Sequence, residues 1–186
     1  MKAELEKTLA ILKAGGVIAY PTDTLWGLGC DASQPEAIEK IFAIKGRQRD
    51  KSLIVLIDDI NKLQDYVVEV PAVAWDLLEQ VDTPLTIIYP QGKNLALNVL
   101  ATDGSVAIRI VKEEFCRNLI RLLKNPLVST SANFSGEAAP MSYRKIKPEV
   151  LEKVDYAVNW NRDTINSVSP SSIIKLGLGG EIELLR

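Results

Sequence analysis

A chain of 186 residues, 47% apolar and 25% charged, can bury a core without disulfides or structural metals. It has no histidine, which excludes Ser-His-Asp and Cys-His catalysis, the HExxH zinc motif and any imidazole base. A net charge of -2 and a pI near 5.3 argue against a broad nucleic-acid footprint but leave room for a local basic pocket.

Leu5, Leu9 and Leu12 recur at helical spacing, and Gly15-Gly16 closes that helix. Residues 17–20 read as a buried strand and 21–31 as a glycine-containing loop. Ile38, Ile41 and Phe42 predict a helix over 34–44, capped near Ser33. A basic loop, 45–51, precedes a strand at 52–57 and a short helix at 58–66. Pro71 is placed to open a helix over 71–81. Strands follow at 85–89 and 106–111, then a helix at 113–123 and a short strand at 127–129 entering a polar loop, 130–140. A late helix is expected at 148–154, and strands at 156–160, 172–176 and 182–185. Gly177, Gly179 and Gly180 mark a turn between the last two. The alternation predicts one α/β domain over 1–186, three-layered, with helices flanking a twisted mixed parallel and antiparallel sheet. Parallel βαβ units are expected in the N-terminal half and antiparallel hairpin additions at the end.

Cys30 and Cys116 fit no CxxC or four-cysteine zinc pattern and read as small buried hydrophobes of a reduced protein. The longest hydrophobic run is far too short to span a bilayer, so a cytoplasmic protein is expected.

Four constellations could carry chemistry. Thr22-Asp23-Thr24 with Gly27 and Gly29 follows an apolar strand: a ligand loop, or only a turn that ends the strand. Its GxGxxA match lies six residues too late for a dinucleotide fingerprint. Lys45-Gly46-Arg47-Gln48-Arg49-Asp50-Lys51 could hold a polyphosphate or be a solvated loop. The run 129–136 could form an anion-binding nest or a polar capping loop. Arg109, inside an apolar strand, faces a pocket or sits on an edge strand. Serine acyl-hydrolase chemistry is disfavoured because Ser131-Ala132-Asn133 precedes Ser142-Tyr143-Arg144-Lys145, the reverse of that class, and no P-loop motif is present.

In order, the stretches 15–32, 41–53, 83–90, 105–110, 126–136 and the terminal PSSIIKL…IELLR resemble the YrdC/TsaC family of threonylcarbamoyl-AMP synthases. The fold then implied is YrdC/RibB-like. Lys45 with Arg47, and Ser131 with Asn133, match the family's KxR and SxN signature, the implied catalytic set. The resemblance implies that L-threonine, bicarbonate (or CO2) and ATP, with Mg²⁺, give threonylcarbamoyl-AMP and pyrophosphate. Partner proteins then transfer the group to adenosine 37 of tRNA, and tRNA or double-stranded RNA is a further implied partner. Thr24, Arg109, Ser129 and Ser171 would contact threonine; Arg47, Lys51, Ser105, Ser131, Ala139 and Arg186 would contact ATP. No protein metal site is implied. Leu56 and Trp26 depart from the family pattern, Leu56 on the threonine side. Residues 135–147 are a candidate lid. The alternatives are an RNA-binding, translation-associated module without catalysis, and a relative using carbamoyl phosphate.

Overall fold

In the computed structural model, residues 1–46, 53–164 and 170–186 are described. The helices are α1 (Lys2–Lys13), α2 (Pro35–Lys45), α3 (Leu63–Tyr66), α4 (Ala72–Gln80), α5 (Glu114–Leu123) and α6 (Pro148–Leu151). The strands are β1 (Ile18–Pro21), β2 (Trp26–Asp31), β3 (Ile54–Ile57), β4 (Leu85–Tyr89), β5 (Val106–Ile110), β6 (Leu127–Ser131), β7 (Tyr156–Ala157), β8 (Ser172–Leu176) and β9 (Ile182–Leu184). Among the described residues, these strands form one sheet in the order β7-β1-β2-β6-β3-β5-β4-β8-β9. The mixed sheet flanked by helices agrees with the sequence reading.

The pairing differs from it at the N-terminal end. β1 and β2 form an antiparallel hairpin, and the parallel pairs are β1 with β7, β3 with β5 and β4 with β8. Two of the late strands therefore join the sheet in parallel, and only β8–β9 is an antiparallel addition. The 21–31 loop is also corrected, because its second half is strand β2. Ser33 does not cap α2: Asp31 Oδ1 captures both the Ser33 amide (2.8 Å) and hydroxyl (2.7 Å), and Pro35 opens the helix. Pro71 stands just before α4 rather than inside it.

Strand alternation sorts the core into two layers. Val55, Ile57, Val106, Ile108, Val128 and Ile87 face α2 and its neighbours. Leu56, Leu127, Ile18 and Tyr20 face the opposite way, beneath α1 and α5. α5 is strongly amphipathic and presses Phe115, Cys116, Leu119, Ile120 and Leu123 onto that second face. Its first turn is capped by Glu113, whose carboxylate accepts the Cys116 amide at 2.7 Å. The α1–α5 cover reaches only part of this face. Where it ends, Ile54, Ala107, Arg109, Thr86 and Ile88 line an open cleft. No helix among the described residues is long and apolar enough to cross a membrane.

Candidate active site

The cleft has a volume of about 240 Å³. Its floor is set by register: Arg109 on β5 lies between Leu56 on β3 and Thr86 on β4, and Thr86 lies beside Ile173 on β8. Arg109 is thus on an interior strand, which rules out the edge-strand alternative. The arginine is only 5% exposed, so its charge has little water to solvate it. Asp23 Oδ1 stands 3.1 Å from its Nη2 as an ion pair, and its Nη1 donates to the Thr24 hydroxyl at 3.2 Å. Its Nε is buried with no partner.

The turn between β1 and β2 forms one wall. The Thr22 hydroxyl accepts the amides of Thr24 (3.2 Å) and Leu25 (3.3 Å) and donates to the Leu25 carbonyl at 2.8 Å. It also meets the Thr24 hydroxyl at 3.1 Å. The hydroxyl turn suggested by the sequence is therefore present, and Thr22 and Thr24 of it line the cleft. The facing wall carries Ser171, whose hydroxyl meets that of Thr86 at 2.8 Å and whose carbonyl accepts Arg186 Nε at 3.1 Å. Burial, and next the charge of Arg109, lower the pKa of Arg186. Two guanidiniums thus line the cleft, Arg109 already paired with Asp23, and each presents donors that suit an anionic group.

The third wall is the end of β6. Ser129 and Ser131 stand beside Gly29 and Gly27 of β2, and Ser131 lines the cleft with Ser129. Ala139 reaches it because the Pro140 carbonyl accepts the Trp26 amide at 3.3 Å. The candidate lid is tied down there, with Ser142 and Ile146 buried and residues 135–138 exposed.

Of the residues the resemblance gave substrate contacts, Thr24, Arg109, Ser129, Ser131, Ala139, Ser171 and Arg186 line the cleft together, and Thr22, Trp26 and Gly27 line it beside them. Lys45 and Asn133 stand behind it. Lys45 Nζ donates to the carbonyls of Ser131 (2.6 Å) and Asn133 (2.8 Å) and to Asn133 Oδ1 at 3.3 Å. Asn133 Nδ2 in turn donates to the Glu137 carbonyl at 2.7 Å. The pair shapes the loop after β6. Ser105 is not in the cleft lining: its amide donates to Asp103 (2.9 Å), and it precedes the start of β5. Arg47 and Lys51 lie outside the described residues. Leu56 is buried under α5, one row from the cleft, and the Trp26 ring packs at 5.1 Å from Tyr143. Leu56 thus has a packing role, whereas Trp26 both packs on Tyr143 and lines the cleft. The sequence reading left Asp23 and Thr86 without assigned roles, although Asp23 was visible as the sole carboxylate of its motif.

Burial raises both thiol pKa values, Cys116 well above its ordinary 9.0, so neither cysteine is a ready nucleophile at neutral pH.

The sequence model of the Sua5/YciO/YrdC family, described as telomere recombination, matches residues 10–186. The chain belongs to the Sua5/YciO/YrdC family. Among its Sua5/YciO/YrdC relatives, a threonylcarbamoyl-AMP synthase of Xanthomonas campestris pv. campestris (strain B100) is 35% identical over 156 residues, covering 82% of this chain and 83% of that protein. A threonylcarbamoyl-AMP synthase of Pseudoalteromonas translucida (strain TAC 125) is 29% identical over 184 residues, 97% of each. The crystal structure of P. abyssi Sua5 complexed with L-threonine matches with a TM-score of 0.86 at 28% identity, covering 98% of this chain and 53% of that one. This chain therefore spans about half the length of that solved Sua5.

Proposed function

We propose that this enzyme is an L-threonylcarbamoyladenylate synthase, a nucleotidyltransferase whose substrates are L-threonine, bicarbonate (or CO2) and ATP. The carrying observation is Arg109: a guanidinium on an interior strand that lines the cleft, ringed by hydroxyls. A carboxylate of an amino acid fits that fork. The synthase relatives and the threonine complex of P. abyssi Sua5 support the same reading.

On this reading Arg109 takes the threonine carboxylate, with the hydroxyls of Thr24, Ser129 and Ser171 around the rest of the amino acid. The neutral threonine amine adds CO2 and gives up a proton to water to become a carbamate. A carbamate oxygen then attacks the α-phosphorus of ATP, the bond to the β-phosphate oxygen breaks, and pyrophosphate leaves. The protein's contribution is alignment and charge neutralisation, which needs no histidine. Arg47, Lys51, Ser131, Ala139 and Arg186 are the proposed ATP contacts; the position of Ser105 gives it no support there. Lys45 and Asn133 would hold the loop that carries Ser131. Among the described residues, no group of three or more His, Cys, Asp or Glu could hold a metal. Mg²⁺ is therefore proposed to arrive on the ATP phosphates and not on protein carboxylates.

We further propose that residues 1–186 form one YrdC-like domain, acting in the cytoplasm. Its reactive product would pass to proteins that modify position 37 of tRNA, and tRNA or double-stranded RNA is a further proposed partner. The test is pyrophosphate release from ATP, Mg²⁺ and bicarbonate, with and without L-threonine. Release is expected only with threonine, and to fall when serine replaces it. Folded protein that releases none overturns the assignment.

A further inference from the structure

Asp23 sits between the two hydroxyls of the β1–β2 turn, and its side chain is 13% exposed. Oδ1 faces Arg109 Nη2 at 3.1 Å, and Oδ2 accepts the backbone amide of Lys112 at 3.1 Å. One carboxylate thus ties the turn after β1 to the guanidinium of β5 and to the backbone just beyond β5.

The adjacent residue, Thr24, takes Nη1. Both terminal nitrogens of Arg109 are therefore drawn to consecutive residues of one turn. A guanidinium is planar, and its donors diverge in fixed directions. The ion pair at Nη2 and the hydrogen bond at Nη1 together hold the guanidinium plane against the β1–β2 turn while the arginine still lines the cleft. Burial adds a second demand, because a cation only 5% exposed needs a nearby opposite charge. Among the described residues, Asp23 is the acid paired with Arg109.

We propose that Asp23 is a positioning residue for threonine: it holds Arg109 so that the side of the guanidinium lining the cleft receives the substrate carboxylate. The proposal rests on the assignment of Arg109 to the threonine carboxylate. Asp23 is not in the cleft lining, so it acts through the arginine and not on the substrate.

Asp23→Asn keeps the shape and can still accept the Lys112 amide, but it loses the charge that pairs with Arg109. Steady-state pyrophosphate release is measured while threonine and ATP are varied separately. For Asp23→Asn, the KM for threonine is expected to rise at least about tenfold, with kcat and the KM for ATP within about threefold, the pattern of one lost binding contact. Asp23→Glu, which keeps the charge on a longer stem, should recover part of the loss; if Asp23→Asn does not fold, this variant carries the comparison and should still raise the threonine KM. An unchanged threonine KM overturns the proposal. So does a parallel loss for threonine and ATP with a fall in kcat, which a merely structural role would give. The wild-type run separates the two readings: release without threonine dependence overturns the synthase assignment itself.

Discussion

Gly27 and Gly29 stand two residues apart on one face of β2, and a methyl group at each would meet different things. At Gly29 it would lie 2.5 Å from Tyr20 Cε1 and 2.7 Å from the Val128 carbonyl oxygen. Tyr20 is fully buried and the carbonyl belongs to the neighbouring strand, so neither can yield cheaply. At Gly27 the nearest atoms are the Thr130 carbonyl at 3.1 Å and the Ser129 hydroxyl at 3.3 Å, on the cleft side. Gly29→Ala is therefore expected to destabilise the fold by about 1–3 kcal/mol, the usual cost of overpacking. Gly27→Ala should cost less stability and act on substrate binding. Urea denaturation of both variants beside threonine KM values checks the contrast; equal stability losses would refute it. These glycines also explain why β2 is hard to read in the sequence. Glycine is depleted in strands, so two in six residues suggest a loop. The reason they are there, close approach of Tyr20 and of the β6 backbone, is a tertiary fact. Arg109 was legible for the opposite reason: a charge inside an apolar strand stands out locally, while its partner Asp23 is 86 residues away and looks like any turn aspartate.

At the level of elements, the helices with one clear apolar face were legible, α1, α2 and α5 among them, because burial of that face imposes the period. Their ends were less so. Ser33 is a good capping residue by type, but Asp31 occupies both its amide and its hydroxyl. Strand partners were not legible either: β1 joins β7 in parallel across most of the chain, and nothing local encodes that pairing. Lys45 shows the same limit within the site. Among neighbouring cations in the sequence it reads as a phosphate ligand. In the fold it is the last residue of α2, 4% exposed, and its ammonium holds the carbonyls after β6 while its own carbonyl accepts the Ser135 amide at 2.9 Å. Removing the ammonium would take the charged donor from the half-buried Ser131 and Asn133 carbonyls, leaving the Ser131 carbonyl only the Asn133 amide. Lys45→Met keeps the stem, so a loss of about 2 kcal/mol or more is expected from the charge-assisted bonds alone. Amide exchange should also quicken at Ala132 and Ser135, which close the loop onto Trp26 and Lys45. Unchanged protection at both amides would mean that the loop keeps its shape without the lysine.

For the whole molecule, the absence of histidine and the depth of the core set the pH range of stability. No side chain present has an ordinary pKa between about 5 and 8, so nothing in the composition makes stability vary steeply there. The alkaline side differs. Burial raises Tyr20 and Cys116 well above their ordinary 10.0 and 9.0, and it also raises Cys30, Tyr66 and Tyr89. Burial also pushes Tyr156 up, to about 12, helped by its hydrogen bond to Glu4 and by that carboxylate's charge. Each group keeps its proton in the native state at a pH where the unfolded chain has released it. The stabilisation is full below the unfolded values of 9.0 and 10.0 and is lost as pH rises from there toward the folded ones. A single such group contributes a slope of up to about 1.4 kcal/mol per pH unit. The urea midpoint should therefore hold steady to about pH 8, fall from about pH 9 as the thiols enter, and fall faster above about pH 10 with the phenols. Tyrosinate absorbance recorded in the same titration should appear for the buried phenols only with unfolding. A midpoint unchanged to about pH 11 would show that these groups keep their protons equally in both states.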